Sequence, residues 1–173
     1  MYGEKRNGMI LSTERLNLRK MNKDDVQNLM EIFADPEAMK YYPSTKDEQG
    51  TIEWIEWTLN NYSLHGTGLW IAENKETGEF LGQCGIVPQD IDGTIQMEIG
   101  YLFARRHWGN GYATEAASAC KKYGFDQLRL RKLISLIDLD NIPSIRVAER
   151  IGMKKEQKIH KWGKEVLVYA VLA

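Results

Sequence analysis

Hydrophobic and polar positions change period along the chain, and the changes mark its elements. In MILSTERLNLRKM, which starts at Met9, Ile10, Leu16 and Leu18 alternate with polar neighbours and predict a strand. In DDVQNLMEIFAD the spacing lengthens. Val26, Leu29, Met30 and Phe33 recur at helical intervals behind Asp24 and Asp25, whose carboxylates suit the positive end of a helix dipole. Pro36 opens another short helical turn that Pro43 and Ser44 close. From Lys46 to about Leu64, the stripe Ile52, Ile55, Leu59 and Tyr62 predicts a longer amphipathic helix, ended by Gly66 and Gly68. The apolar runs LWIAEN and EFLGQCGIVP flank the polar turn KETG, and DIDGT leads into IQMEIGYLF at residues 95–103, so three successive strands form an antiparallel meander. Ala113, Ala116, Ala117, Cys120, Tyr123 and Gly124 then predict a helix from about Gly111 to Leu128, with a face small enough for its backbone to lie close to a sheet. KLISLID reads as a strand, NIPSIRVAERIG as a helix ending at Gly152, and MKKEQKIH and EVLVYAVL as two strands around KWGK. The order is β, helices, βββ, α, β, α, ββ.

Composition narrows the possibilities. At 173 residues the chain suits one domain, 1–173, able to bury roughly 70% of its unfolded surface. A net charge of −1 leaves no strongly basic face for a phosphate backbone, so nucleic acid is not the expected partner. The start, MYGEKRNGMILSTERL, lacks the continuous apolar core of a signal peptide, and no run of about 18 apolar residues offers a membrane span; the expected location is cytoplasmic. Cys84 and Cys120 lie far apart in sequence and read as buried reduced thiols. His65, His107 and His160 are scattered without ligand spacing, so no metal is expected. Monomer and homodimer both stay open.

The stretch RHWGNGYATEA, residues 106–116, carries the first chemical signal. A strand feeds a loop with two glycines that opens a helix. The first helical amides have no internal partner, and the dipole adds positive character, so the place attracts a phosphate. Gly109 and Gly111 permit close approach. The phosphorylated ligand is not ATP on a P-loop, because the GxxxxGK pattern is missing, and a dinucleotide fingerprint would need glycine where Thr114 stands. The preceding meander also conflicts with a parallel βαβ unit.

These residues resemble a known family. RHWGNG fits the acetyl-CoA signature of the GNAT acetyltransferase superfamily: Gln or Arg, any two residues, Gly, any residue, then Gly or Ala. WGNGYATEA looks like the RimJ/RimL-type branch, the ribosomal-protein N-acetyltransferases. LSTERLNLRKM, FADPEAMKYY, MEIGYLF and NIPSIRVAERIGM extend the resemblance along nearly the whole chain. It implies the GNAT α/β fold, a mixed and strongly twisted sheet of about seven strands whose central strands splay apart, flanked by helices. It also implies acetyl-CoA as co-substrate and an amine as acceptor. Carried over by position, the amides of His107, Trp108, Gly109, Asn110, Gly111, Tyr112 and Ala113 receive the pyrophosphate, Arg106 holds the loop, and the backbones of Leu102 and Phe103 pair with the pantetheine arm. Gly100 is read either as the bulge of that strand or as packing relief.

Transfer requires a neutral amine, and an alkylamine is almost wholly protonated at neutral pH. Glu98, two residues before Gly100, is the candidate general base, direct or through water; its other reading is a solvated carboxylate or an arginine partner. Amine attack places charge on the thioester oxygen, which a strand N–H freed by the bulge would receive. The family's tyrosine acid has no counterpart at Val147, Ala148 or Glu149, and Ser144 is the candidate substitute. Asn141 is read as a contact to the pantetheine arm, or as a helix cap before Pro143. Tyr41, Tyr42, Trp54 and Trp57 offer walls for the acceptor and Glu53 and Glu56 a field for a cationic amine, unless they are core and solvated face. Neither cysteine has an activating neighbourhood, so direct transfer in a ternary complex is expected. A module that binds coenzyme A without turnover is the alternative, and a dinucleotide enzyme a weaker one.

Overall fold

A computed structural model describes residues 8–173. The reading of the chain start as free of a signal peptide falls partly on residues 1–7, outside the described residues. Eight strands form one sheet in the order β1-β2-β3-β4-β5-β6-β8-β7, and every neighbouring pair is antiparallel except β5 with β6. The strands are β1 (Met9–Ser12), β2 (Leu16–Lys20), β3 (Leu69–Asn74), β4 (Phe80–Ile91), β5 (Thr94–Phe103), β6 (Lys132–Asp138), β7 (Lys154–Lys161) and β8 (Lys164–Leu172). Helices α1 (Val26–Phe33) and α2 (Glu48–His65) lie between β2 and β3, α3 (Tyr112–Asp126) between β5 and β6, and α4 (Ile142–Arg150) between β6 and β7.

The opening segment is a hairpin of two strands and not one, because the polar Thr13-Glu14-Arg15 turn breaks the alternation. Residues 36–41 form hydrogen-bonded turns without a helix, Met39 N donating to the Asp35 carbonyl at 3.0 Å. The remaining predicted elements are present within a few residues. Tight turns at Asp92-Gly93 and Trp162-Gly163 take positive φ at both positions, the geometry that matches the twist of two-residue hairpins.

Two apolar layers hold the sheet. On one face Leu18, Trp70, Ile86, Ile99, Cys120 and Ala148 are buried with α3 and α4; on the other, Phe33, Ile55, Leu69, Ile71 and Val87 are buried with α1 and α2. The small face of α3 allows close approach: a Cβ on Gly124 would stand 3.0 Å from both Ile86 Cδ1 and Leu133 Cδ1. Cys84 and Cys120 are free and fully buried, Sγ to Sγ 3.5 Å, and burial holds the Cys84 thiol well above its usual range. Among the described residues no helix is long and apolar enough to cross a membrane, and no group of three or more His, Cys, Asp or Glu is placed to hold a metal ion.

Candidate active site

The site forms where β5 and β6 part. With β4, β5 is paired from Thr94 to Phe103 without a register shift, so Gly100 marks no bulge in that ladder. With β6 it is paired only at Glu98 and Ile134. The opening comes from this parting and not from a bulge. Backbone groups alternate between the two flanks of a strand. Ile99 O accepts from Ser135 Oγ at 2.8 Å on the β6 side, whereas Ala104 N donates to Leu81 O at 2.9 Å on the β4 side. Odd-numbered residues of β5 therefore face the gap. Leu102, expected to offer its backbone there, is turned towards Gln83 of β4, and the Phe103 carbonyl accepts from Trp108 Nε1 at 2.8 Å. Tyr101 is the residue whose backbone faces the gap, which the motif-based reading missed.

Side chains alternate as well. Leu102 packs with the α1 and α2 layer, while Ile99, Tyr101 and Phe103 pack with the α3 and α4 layer. Glu98 and Gly100 share the Leu102 face. A cavity of about 350 Å³ passes through the seam and is lined from both sides. Glu98 is 8% exposed and bridges the parted strands: Leu136 N donates to Oε2 at 2.6 Å and Gln89 Nε2 to Oε1 at 2.9 Å. Burial pushes its pKa up to about 7, against the opposing pull of these two hydrogen bonds and of Lys161. It is neither a solvated carboxylate nor an arginine partner.

Across the seam, Tyr101 Oη donates to the Ser144 carbonyl at 2.7 Å and accepts from Ser144 Oγ at 3.2 Å. Burial holds the Tyr101 phenol above its ordinary range. Asn141 caps α4, its Oδ1 accepting from Ser144 N at 3.3 Å, and it also lines the cavity. Tyr41, Tyr42, Trp54 and Trp57 all line the cavity. Glu53 and Glu56 do not; both are exposed on α2, and the carboxylates in the wall are Glu98 and Asp138.

The loop after β5 leads to α3. His107 N and Trp108 N are used in a short 3-10 turn, donating to Ala104 O at 2.9 Å and Arg105 O at 3.1 Å. The run of amides left for a phosphate is therefore shorter than the resemblance implies and starts at Gly109. Gly109 and Gly111 take φ of +82° and +79°, and a Cβ on Gly109 would meet nothing within 4 Å. Gly111 begins α3 with no side-chain cap, whereas Asp47 caps α2 through Gly50 N at 2.8 Å. Arg106 ties the loop down through ion pairs with Glu31 of α1 and Glu79. Arg15 bonds Glu115 at 2.7 Å and the Asn110 carbonyl at 2.9 Å, fixing the far side. The loop, tied down through Arg106 and Arg15, carries the amides of Gly109 to Ala113 into the uncapped start of α3.

Known proteins resemble this chain in sequence and in fold. A model of the acetyltransferase (GNAT) domain matches residues 15–154. The protein YkkB of Bacillus subtilis (strain 168) is 54% identical over 160 residues, 92% of this chain and 93% of that one. An acetyltransferase from Agrobacterium tumefaciens str. C58 has a TM-score of 0.83 at 32% identity, over 94% of each chain. RimL, a ribosomal α-N-protein acetyltransferase solved in complex with coenzyme A, has a TM-score of 0.78 at 16% identity over 95% of this chain and 97% of that one, a likeness of fold.

Proposed function

The chain belongs to the GNAT acetyltransferase family, and on that premise we propose that residues 1–173 act as one domain that moves the acetyl group of acetyl-CoA to a primary amine, by direct transfer in a ternary complex. The observation that carries this reading is the junction of three features: an uncapped α3 start, an open backbone edge at Tyr101, and the Glu98 carboxylate buried in the same seam. The amides of Gly109, Asn110, Gly111, Tyr112 and Ala113 suit a diphosphate, with Arg106 and Arg15 holding the loop. A thioester arm laid along the gap has the Tyr101 C=O as a ladder partner and the Asn141 amide beside it, which leaves the Tyr101 N–H for the thioester oxygen. The amine enters from the Tyr41, Trp54 and Trp57 side.

Glu98 takes the amine proton. A base whose pKa lies near 7 balances availability against proton affinity at neutral pH. The Tyr101 N–H receives the charge that grows on the thioester oxygen. Ser144 Oγ then gives its proton to the departing thiolate and regains one from solvent as Glu98 releases to solvent the proton it took, so the amide bond forms as the thioester C–S bond breaks, and the leaving sulfur departs as a thiol. Alternation along β5 separates the two proton transfers, with the base on one face of the sheet and the Ser144–Tyr101 pair on the other.

The RimJ/RimL resemblance makes peptide N-termini beginning with Ser or Ala one acceptor class; small amines are the other. Cytoplasmic action fits two closely spaced thiols that are unbridged. An amine panel read by free-thiol release tests the activity, and thermal shifts with acetyl-CoA and NAD test the donor. The reading requires thiol release with at least one amine and a shift with acetyl-CoA alone. A shift without turnover on any amine would leave a module that binds coenzyme A, and a shift with NAD alone would point to dinucleotide chemistry.

A further inference from the structure

Two lysines line the transfer cavity, and they are held differently. Lys164 donates to Asp138 Oδ2 at 2.6 Å and to the Tyr41 carbonyl at 2.6 Å, so its charge is matched where it stands. Lys46 places Nζ 5.1 Å from the Trp54 ring centroid and 5.9 Å from that of Phe33. Among the described residues it forms no ion pair within 4.0 Å. A ring face attracts an ammonium but accepts none of its strong hydrogen bonds, so these donors have no anionic acceptor among the described residues. The Lys46 backbone is fixed by donation to the Phe33 carbonyl at 2.7 Å, immediately before the residue that caps α2.

Glu98 lies at a different level of the same cavity. Trp54 Nε1 donates to Gln83 Oε1 at 3.1 Å, and Gln83 pairs with Leu102. Leu102 is four residues along β5 from Glu98, about 13 Å of strand. The chamber therefore has a proton acceptor at one end, an unmatched cation near the other and aromatic walls between. That pattern is complementary to an elongated molecule with an amine at one end and an anion at the other, and it disfavours a molecule cationic at both ends.

We propose that Lys46 is a specificity residue that binds a carboxylate carried by the acceptor, so that the preferred substrates are amino acids or peptides whose carboxylate lies several bonds from the reacting amine. This rests on the transferase reading. The test compares three acceptors of matched chain length: ω-aminooctanoate, octylamine and diaminooctane. In the wild-type protein kcat/KM falls in that order, with about tenfold between the first two, carried mainly by KM. In Lys46→Met the preference collapses to about one, and in Lys46→Arg it is retained. The acetyl-CoA thermal shift persists in Lys46→Met, which shows the variant folded with its donor site intact. Equal or better turnover of octylamine by the wild type, or an unchanged preference in Lys46→Met, would overturn the assignment of Lys46 while leaving the transferase reading standing. Turnover of none of the three, together with none of the wider amine panel, overturns the transferase reading and this assignment with it.

Discussion

Along its β4 flank, β5 is paired at every residue from Thr94 to Phe103; along its β6 flank a single pair, Glu98 with Ile134, joins the strands. The closed flank is packed to the limit. A Cβ on Gly82 would fall 2.6 Å from the Leu102 carbonyl oxygen, and behind it, on the β3 side of β4, one on Gly85 would fall 2.1 Å from that of Gly68. The open flank replaces ladder bonds with side chains: Ser135 on the Ile99 carbonyl, Glu98 on the Leu136 amide. One strand thus supplies rigidity on one side and unpaired backbone on the other, and the site inherits the precision of the sheet without being closed by it.

Substitutions on the two flanks should separate along these lines. On the open flank, Glu98→Gln keeps the shape and is expected to lower kcat by about 10²–10⁴-fold while acetyl-CoA affinity holds; wild-type kcat should rise with pH through about 7, a step the variant lacks. Stability carries the opposite sign. The native state favours protonated Glu98, so its cost is absent below the ordinary carboxylate range, grows as pH rises to about 7 and is constant above, and Glu98→Gln should gain about 3 kcal/mol on the wild type between pH 4 and pH 8 in denaturant titrations. At the end of that flank, Gly111→Asp puts a carboxylate among the loop amides and is expected to weaken acetyl-CoA binding about a hundredfold in calorimetry. Behind the closed flank, where β4 meets the start of β3, Gly85→Ala should cost about 2 kcal/mol by overpacking, visible as a lowered melting temperature, with acetyl-CoA affinity close to wild type in the folded fraction. The smallest effect is expected from Tyr101→Phe, which loses the bond to the Ser144 carbonyl and should lower kcat about tenfold with KM for acetyl-CoA little changed. A stability loss with normal kcat in Glu98→Gln, or the reverse in Gly85→Ala, would break the division between the flanks.

Much of this architecture was legible in the residues. Periodicity placed three of the four helices within about two residues, because Gly66, Gly111 and Gly152 punctuate their ends at positive φ. The loop motif pointed to the uncapped start of α3, since helix-end chemistry is local. What lay beyond local sequence was read less well. The strand predicted from Met9 split at Thr13-Glu14-Arg15, where turn chemistry overrode alternation. Gly100 suggested a bulge, but the opening lies in strand pairing between β5 and β6, which no single segment encodes. The amides of His107 and Trp108 are turned into a 3-10 bend, and Leu102 gives its place at the gap to Tyr101, because the phase of a strand's hydrogen bonds depends on its partner. Glu53 and Glu56 had the right charge on the wrong face of α2. Tyr101 stands inside the motif MEIGYLF, and its spacing of three from Glu98 puts the two on opposite faces of the strand, a signal that pairs of titratable residues in strands do carry.

The central claim is that main-chain amides at the start of α3 hold the diphosphate and aim the thioester into the gap beside Tyr101. Crystals grown with acetyl-CoA test it most directly. The account predicts diphosphate oxygens within hydrogen-bond distance of amides between Gly109 and Ala113, with the thioester between Glu98 and Ser144. A diphosphate seated away from these amides, or an acyl chain outside the seam, would contradict it.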